Sequence, residues 1–281
     1  MAEGINLALL PPLDVVKQVD HEAIIADVVE RAGLENASPS DPAFRVTLAN
    51  TYREVLLRQD ANEQALGLTL AYATGPELDH IGATYYQHPD GTPVQRLDGE
   101  SNDDYRARLQ KSPEGLSVAG PDGAYEYHAQ SAHPDVKGVA VDSPAPVEVV
   151  LSILSHSGIG EPSQSVLDAV TAYIEPFRPM TDRVSVVGAT VLSYSVVAAL
   201  YIKHGPDPEL VRKTAEDRLL AYVNEQHRLK GRVVESGIHA ALTLEGVEEV
   251  RLTNWNDVTC TKQQAPFCNG VTVTIGGLYD G

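Results

Sequence analysis

Nineteen consecutive residues, Val184 to Ile202, carry no charge and lie between Arg183 and Lys203. A run of that length either crosses a bilayer as a helix or is buried inside a folded domain. Its composition decides between the two. Six Val, one Thr and one Ile make eight β-branched residues, Gly188 interrupts near the start, and Leu192-Ser193-Tyr194-Ser195-Val196 alternates with period two. The pattern predicts two buried strands and no membrane span.

With 43% hydrophobic and 21% charged residues in 281, the chain can build its own core without disulfides. Its 39 acidic against 21 basic side chains leave a net charge of −18, a field that repels phosphate backbones and anionic lipid. The expected partners are proteins, with no nucleic acid. Cys260 and Cys268 match neither a zinc framework nor the bridging of small secreted domains, so a reducing compartment is expected. The N-terminal stretch MAEGINLALLPPLD lacks the basic region and apolar core of a secretory leader, so no secretory signal and a cytoplasmic chain are expected.

The first third reads as helical. Asp20 is an N-cap for a helix with Ile24, Ile25, Val28 and Val29 on one face and Gly33 at its stop. Asp41-Pro42 is a second start signal, and the helix it opens is expected to run to about Ala73, ended by Gly75-Pro76. That is about 48 Å at 1.5 Å per residue, more than a compact domain of this size needs for itself. Leu48, Tyr52, Val55, Gln59, Asn62 and Leu66 fall at alternating steps of four and three, the spacing of a helix packed lengthwise on others. Polar Gln59 and Asn62 suit an interchain bundle with a fixed register, and the same stripe is equally open to packing on its own chain with those positions in water. Proximity of another chain to Leu48–Leu66 is the observation that separates the two.

Residues 87–99, rich in Pro and Gly, read as a hinge. Ser101 with Asp104 three residues on forms a capping box for a short helix with Tyr105 and Leu109 on its buried face, and another helix follows Gly120-Pro121. Beyond His133-Pro134 strands are expected at 136–141, 147–154, 183–187, 191–203, 247–252 and 271–275. Helices are expected at 163–174, from Asp207-Pro208 to Lys230-Gly231, and at 236–242. The fold class is α+β, with N-terminal long helices followed by two small mixed α/β layers. The expected organisation is a helical bundle domain at 1–86, a hinge with short helices at 87–133, and α/β domains at 134–188 and 189–281.

Chemistry is sparse. Asp79, His80, His88 and Asp90 group across a turn without metal-ligand spacing, so no metal is expected. Ser155-His156-Ser157-Gly158 lacks a nucleophile elbow, and Gly158-Ile159-Gly160 lacks the rest of a phosphate loop and is followed by Glu161. Asp98, Glu100, Asp103 and Asp104 can be read as paired carboxylates or a calcium site, but carboxylates at a helix start are explained by the macrodipole.

The stretch Gly99-Glu100-Ser101-Asn102-Asp103-Asp104-Tyr105-Arg106-Ala107-Arg108-Leu109, after Leu78-Asp79-His80-Ile81-Gly82-Ala83, resembles the baseplate J-like proteins of contractile phage tails. That family carries an LD-x-x-G-like helix end, an Arg, a GES-[DN]-DDYR-x-R-[LI] signature, a Ser, and an S-x-A-G-P segment leading to a tyrosine. Here these match Arg96, Ser112, Ser117, Ala119, Gly120, Pro121 and Tyr125. The loop at 84–95 is longer and more polar than the family's usual link.

The resemblance implies a non-enzymatic wedge protein of a contractile tail or tail-like particle, without cofactors, forming a ring around the central hub by protein–protein contacts. It implies a second copy of the same chain and another wedge chain in a helical core bundle, with lysozyme-like sheath-initiator or hub and spike proteins as neighbours. Location in the virion baseplate or a bacteriocin-like particle, after assembly in the bacterial cytoplasm, follows from the same likeness. The rival readings are a cytoplasmic α+β enzyme whose site assembles from distant segments, and an assembly factor absent from the finished particle.

Overall fold

A computed structural model describes residues 6–16, 20–205 and 207–278. Residues 1–5, part of the stretch weighed as a leader, lie outside the described residues. The chain divides into two compact units, residues 1–96 with 101–110, and residues 97–100 with 111–281. Each is described by itself.

In the first unit, α1 (His21–Arg31) packs on α2 (Pro42–Gly67). Both start as the sequence predicts, the Asp20 carboxylate accepting from the Glu22 N–H and the Asp41 carboxylate from the Ala43 N–H. Gly33, at φ +66°, takes the left-handed position that closes α1. The second helix is shorter than expected, since it stops at Gly67 and residues 68–73 turn. At 26 residues it is about 39 Å long. The reason is tertiary: Ala73 is fully buried, and the carbonyls of Leu70 and Ala73 are taken by the Arg106 guanidinium instead of a helical ladder. Gly75-Pro76 therefore opens a helix, α3 (Gly75–Tyr85), where the sequence reading had it only as a stop. The segment 86–94 folds back as a loop, with the Val94 N–H donating to Tyr86 O and the His88 N–H to Thr92 O. Then α4 (Asn102–Lys111) follows, up to Gln110 a part of this unit.

The second unit begins with a 3-10 turn (Ser112–Leu116) and α5 (Asp122–Ala132). Strands β1 (Val136–Asp142) and β2 (Glu148–Ser155) form an antiparallel pair, and α6 (Gln164–Ile174) leads to β3 (Arg183–Gly188), parallel to β2. Val166, Val170 and Ile174, at helical spacing on α6, bury against Val139, Val141, Leu151 and Ile153.

The uncharged run makes β3 and then β4 (Thr190–Ile202), parted at Gly188-Ala189. In β4 the alternate residues Val196, Ala198, Leu200 and Ile202 are buried, the period-two face the sequence shows. They meet Val211, Ala215, Leu219 and Val223 of α7 (Pro208–Gln226), which Asp207 caps. Each buried Val, Leu or Ile among them is worth about 1.5–3 kcal/mol.

Then come β5 (Arg232–Val233), α8 (Glu235–Leu242), β6 (Val247–Leu252), β7 (Val258–Thr259) and β8 (Gln264–Leu278). The second sheet runs β6-β4-β8, with β6 antiparallel and β8 parallel to β4. Leu154 of β2, Ala189 between β3 and β4, and Ala265 of β8 share one buried cluster, so both sheets belong to one unit. The expected boundary at 188/189 falls between the sheets.

Candidate functional site

Gly82, Arg96 and Arg108 converge on the ring of Tyr105, which is fully buried. Its hydroxyl donates to Val94 O at 2.8 Å, and the Arg96 and Arg108 guanidinium carbons lie 4.8 and 5.1 Å from its ring centroid. Gly82 of α3 faces the same hydroxyl so closely that a Cβ there would lie 1.9 Å from it. Around this centre every charged member of the motif has a partner. Arg96 Nε donates to Asp79 Oδ1 at 2.6 Å, and buried Arg108 donates to Gln95 O at 2.7 Å.

Arg106 works as a three-way clamp. It donates to Leu70 O at 2.8 Å, to Ala73 O at 2.7 Å and to Asp103 Oδ1 at 2.6 Å. Its planar fork is suited to carbonyls and a carboxylate at once. The Ser101 hydroxyl bonds Asp104 Oδ2 at 2.5 Å and accepts from the Asp104 N–H at 3.1 Å, which builds the expected cap of α4. Glu100 Oε2 accepts from the Leu97 N–H at 2.9 Å, and Gly99, at φ +78°, makes the turn before it. Glu100, Asp104 and Asp103 are therefore spent on a turn, a cap and an ion pair. Thr74 gives α3 no side-chain cap, and Asn102 Oδ1 accepts from the Gly75 N–H instead at 3.1 Å.

Gly120 and Pro121 form a second knot, in the second unit. Gly120, at φ +69°, lies where a Cβ would meet Pro179 Cγ at 2.7 Å, and Pro121 precedes α5. The Tyr125 hydroxyl donates to Asp182 Oδ2 at 2.7 Å, and Arg178 donates to Asp182 O at 3.1 Å. Burial, then the bond and charge of Asp182, push the Tyr125 phenol well above its ordinary range. The motif as a whole is a set of locks that hold loops and helix ends in place.

The α2 stripe divides. Asn62 is buried, its Oδ1 accepting from the Val16 N–H at 2.8 Å and its Nδ2 donating to Val16 O at 2.9 Å. Its amide is used within its own chain, against a segment with no helical pattern to announce the contact. Leu48, Val55 and Leu66 are half-buried, whereas Tyr52 and Gln59 are exposed. Tyr52 meets the ring of His21 edge to face at 6.3 Å between centroids. The sequence reading named Tyr52 but missed its neighbours. Val46, Tyr52, Leu56 and Leu57 are exposed large apolar side chains within roughly 140° of the α2 wheel at 100° per residue, on the side away from buried Thr51 and Asn62.

Groups weighed for chemistry have structural roles. Asp135 accepts from both the Ser157 N–H, at 3.0 Å, and the Ser157 hydroxyl, at 2.7 Å, and binds the Ser155 hydroxyl as well. Burial pushes its carboxyl up, and the hydrogen bonds of Ser155 and Ser157 more than offset this, so it titrates below its ordinary value. Asp90 is held down by the hydroxyl and N–H of Thr92. Cys260 and Cys268 are free thiols pushed up by burial. An open depression of about 430 Å³, lined by Pro76, Asp79, His80, Ala83, Gln95, Arg96 and Tyr105, has its central charges already paired, Arg96 to Asp79. Among the described residues no helix is long and apolar enough to cross a membrane, and no three His, Cys, Asp or Glu side chains group as for a metal ion.

Residues 39–88 match the model of the Baseplate J-like N-terminal domain, and residues 117–188 that of the Baseplate J-like central domain. Over 298 aligned residues the chain is 38% identical to Baseplate protein J of Escherichia phage P2, with 97% of this chain and 98% of that protein covered. The cryo-EM structure of the anti-feeding prophage (AFP) baseplate, 6-fold symmetrised, aligns at a TM-score of 0.44 and 11% identity, over 63% of this chain and 43% of that chain.

Proposed function

The chain belongs to the baseplate J-like family of structural tail proteins, and from that premise we propose that it is a wedge subunit of the baseplate ring. Its place is the tail of the particle, among other baseplate proteins. The observation that carries the wedge reading is α2, a helix with one face packed on its own unit and Val46, Tyr52, Leu56 and Leu57 exposed among charged side chains on the opposite face. Such a face suits a helical bundle with a second copy of this chain and a third wedge chain. In that bundle Leu48, Tyr52, Val55, Gln59 and Leu66 form the flank, and Leu56 and Leu57 the centre.

The role is mechanical, with no catalytic step, and hub or sheath-initiator proteins are its further neighbours. Assembly takes place in the bacterial cytoplasm before release. Motion belongs to the passages between the units, at 96–97, 100–101 and 110–111, since residues 87–94 are tied back by the bonds of Val94 and His88. Co-expression with the neighbouring tail proteins, followed by native mass spectrometry, tests the reading. A complex of two copies of this chain with one partner chain is expected, and a partner-free monomer would sink it.

A further inference from the structure

The second unit carries an apolar patch that neither its core nor the wedge reading uses. Leu116, Val118, Val147 and Met180 are all exposed, Val118 at 87% and Met180 at 98%. Two contacts hold the segments of Val118, Val147 and Met180 beside one another, and a third braces the turn of Leu116. Gly120, two residues after Val118, abuts Pro179, the neighbour of Met180. The Arg183 N–H, three residues beyond Met180, donates to Val147 O at 2.7 Å. Gly115, next to Leu116, is pressed on the ring of Tyr127, where a Cβ would lie 2.1 Å from Cδ1.

Val147 adds a second, independent observation. It holds φ +64°, a left-handed conformation that a β-branched residue adopts only under strain and that Gly or Asn would adopt freely. A strained turn that nonetheless presents an isopropyl group to water points to a use for that group. Single exposed apolar residues are ordinary, whereas four gathered on a braced surface mark a contact.

The charges beside the patch say what covers it. Glu114 and Asp122 are exposed, and Asp182 lies 3.3 Å from the position of a Gly120 Cβ. Lys111 is paired with Glu126 and Arg178 with Glu175, which leaves Arg183 outweighed by three carboxylates. A second copy of the same patch would bring like charges together, on a chain already at −18. We propose that Leu116, Val118, Val147 and Met180 form a docking surface for a protein partner that presents an apolar side chain flanked by Lys or Arg. The surface is separate from the α2 face and rests on the wedge reading for the assembly that supplies its partner.

Met180 makes the surface measurable. The chain has two methionines, Met1 and Met180, so the rate at which peroxide converts Met180 to its sulfoxide can be followed by mass spectrometry in the free chain and in purified particles. Protection of Met180 by tenfold or more in particles, relative to the free chain, is expected. It should be joined by reduced incorporation of the charge-reversal variant E114K/D122K and of V147N, both still folded. Met180 oxidised in particles at the free rate overturns the surface and leaves the wedge reading intact. Absence of the chain from the particles overturns both. Protection that appears in the free chain as its concentration rises assigns the patch to a second copy and overturns the basic partner.

Discussion

Replacing Gly82 by alanine sets two effects of opposite sign against each other. In the interior of α3 the added methyl should stabilise by about 1 kcal/mol through helix propensity. It would also enter space that the Tyr105 hydroxyl occupies, at 1.9 Å, with Cζ at 2.7 Å and Val94 O at 3.1 Å. The ring cannot swing aside cheaply, because it is fully buried, bonded to Val94 O and flanked by Arg96 and Arg108. Overpacking of this kind costs about 1–3 kcal/mol, and loss of the hydroxyl bond adds about 1 kcal/mol. The net expectation for G82A is a loss of about 1–3 kcal/mol, which at ordinary m-values lowers the urea midpoint by roughly 0.5–1.5 M.

Circular dichroism at 222 nm follows the helices, while the fluorescence of Trp255, the single tryptophan, follows the second unit and should shift less. The double variant G82A/Y105F removes the nearest clashing atom, so its loss should be smaller than the sum of the two single losses by about 1 kcal/mol or more. A G82A midpoint that rises, as propensity alone dictates, would refute the account of Tyr105 as the immovable centre of the motif.

Arg106→Met should loosen the link from α2 to α3 by leaving Leu70 O and Ala73 O without a charged donor, a loss of about 2–4 kcal/mol readable in the same titration. Hydrogen exchange at residues 68–75 should rise with it. His88 is held below its ordinary pKa by burial and then by the charge of Arg108, with Asp90 opposing in part. His227 is lowered by burial, then by Lys137 and His156, against the bond to Pro266 O. As both fold with a lowered pKa, the unfolded chain takes up protons first. Stability should therefore be full above about pH 6.5 and fall as pH drops below it, with H88Q and H227Q each flattening the slope between pH 7.5 and 5.5. On the exposed face of α2, L56E/L57E should leave the thermal midpoint within a few degrees and abolish recovery of the wedge complex. Assembly at the parent level would remove that face from the interface.

Local signals were legible in the sequence and long-range ones were not. Asp20, Asp41-Pro42, Ser101 with Asp104, and Asp207-Pro208 all start helices as read, because capping is decided within three residues. The β-branched run divides at Gly188-Ala189 for the same local reason. The end of α2 was misplaced because Arg106, more than thirty residues on, takes the carbonyls of Leu70 and Ala73 that a longer helix would have used. Strand β8 is 15 residues long, and its first part, Gln264 to Gly270, is too mixed in polarity to announce itself. The motif residues were recognisable only as a pattern. That Asp79, Gly82, Arg96, Asn102, Tyr105 and Arg108 share one knot follows from the fold that brings α3 and α4 together.

Strand β4 is the middle of its sheet, yet its parallel neighbour lies far along the chain: Thr190 pairs with Gln264, and the register continues to Ile202 with Leu278. A ribosome adding 5–20 residues per second needs about 4–15 s to travel that interval. Until it has done so, one flank of β4 has open hydrogen-bonding groups, and pairing across so long a loop is slow in any case. The second sheet is thus completed only after α7, α8 and β6 have been made. A chain still on the ribosome presents finished N-terminal helices and an unfinished sheet, and this orders in time which surfaces a nascent subunit can offer to its neighbours.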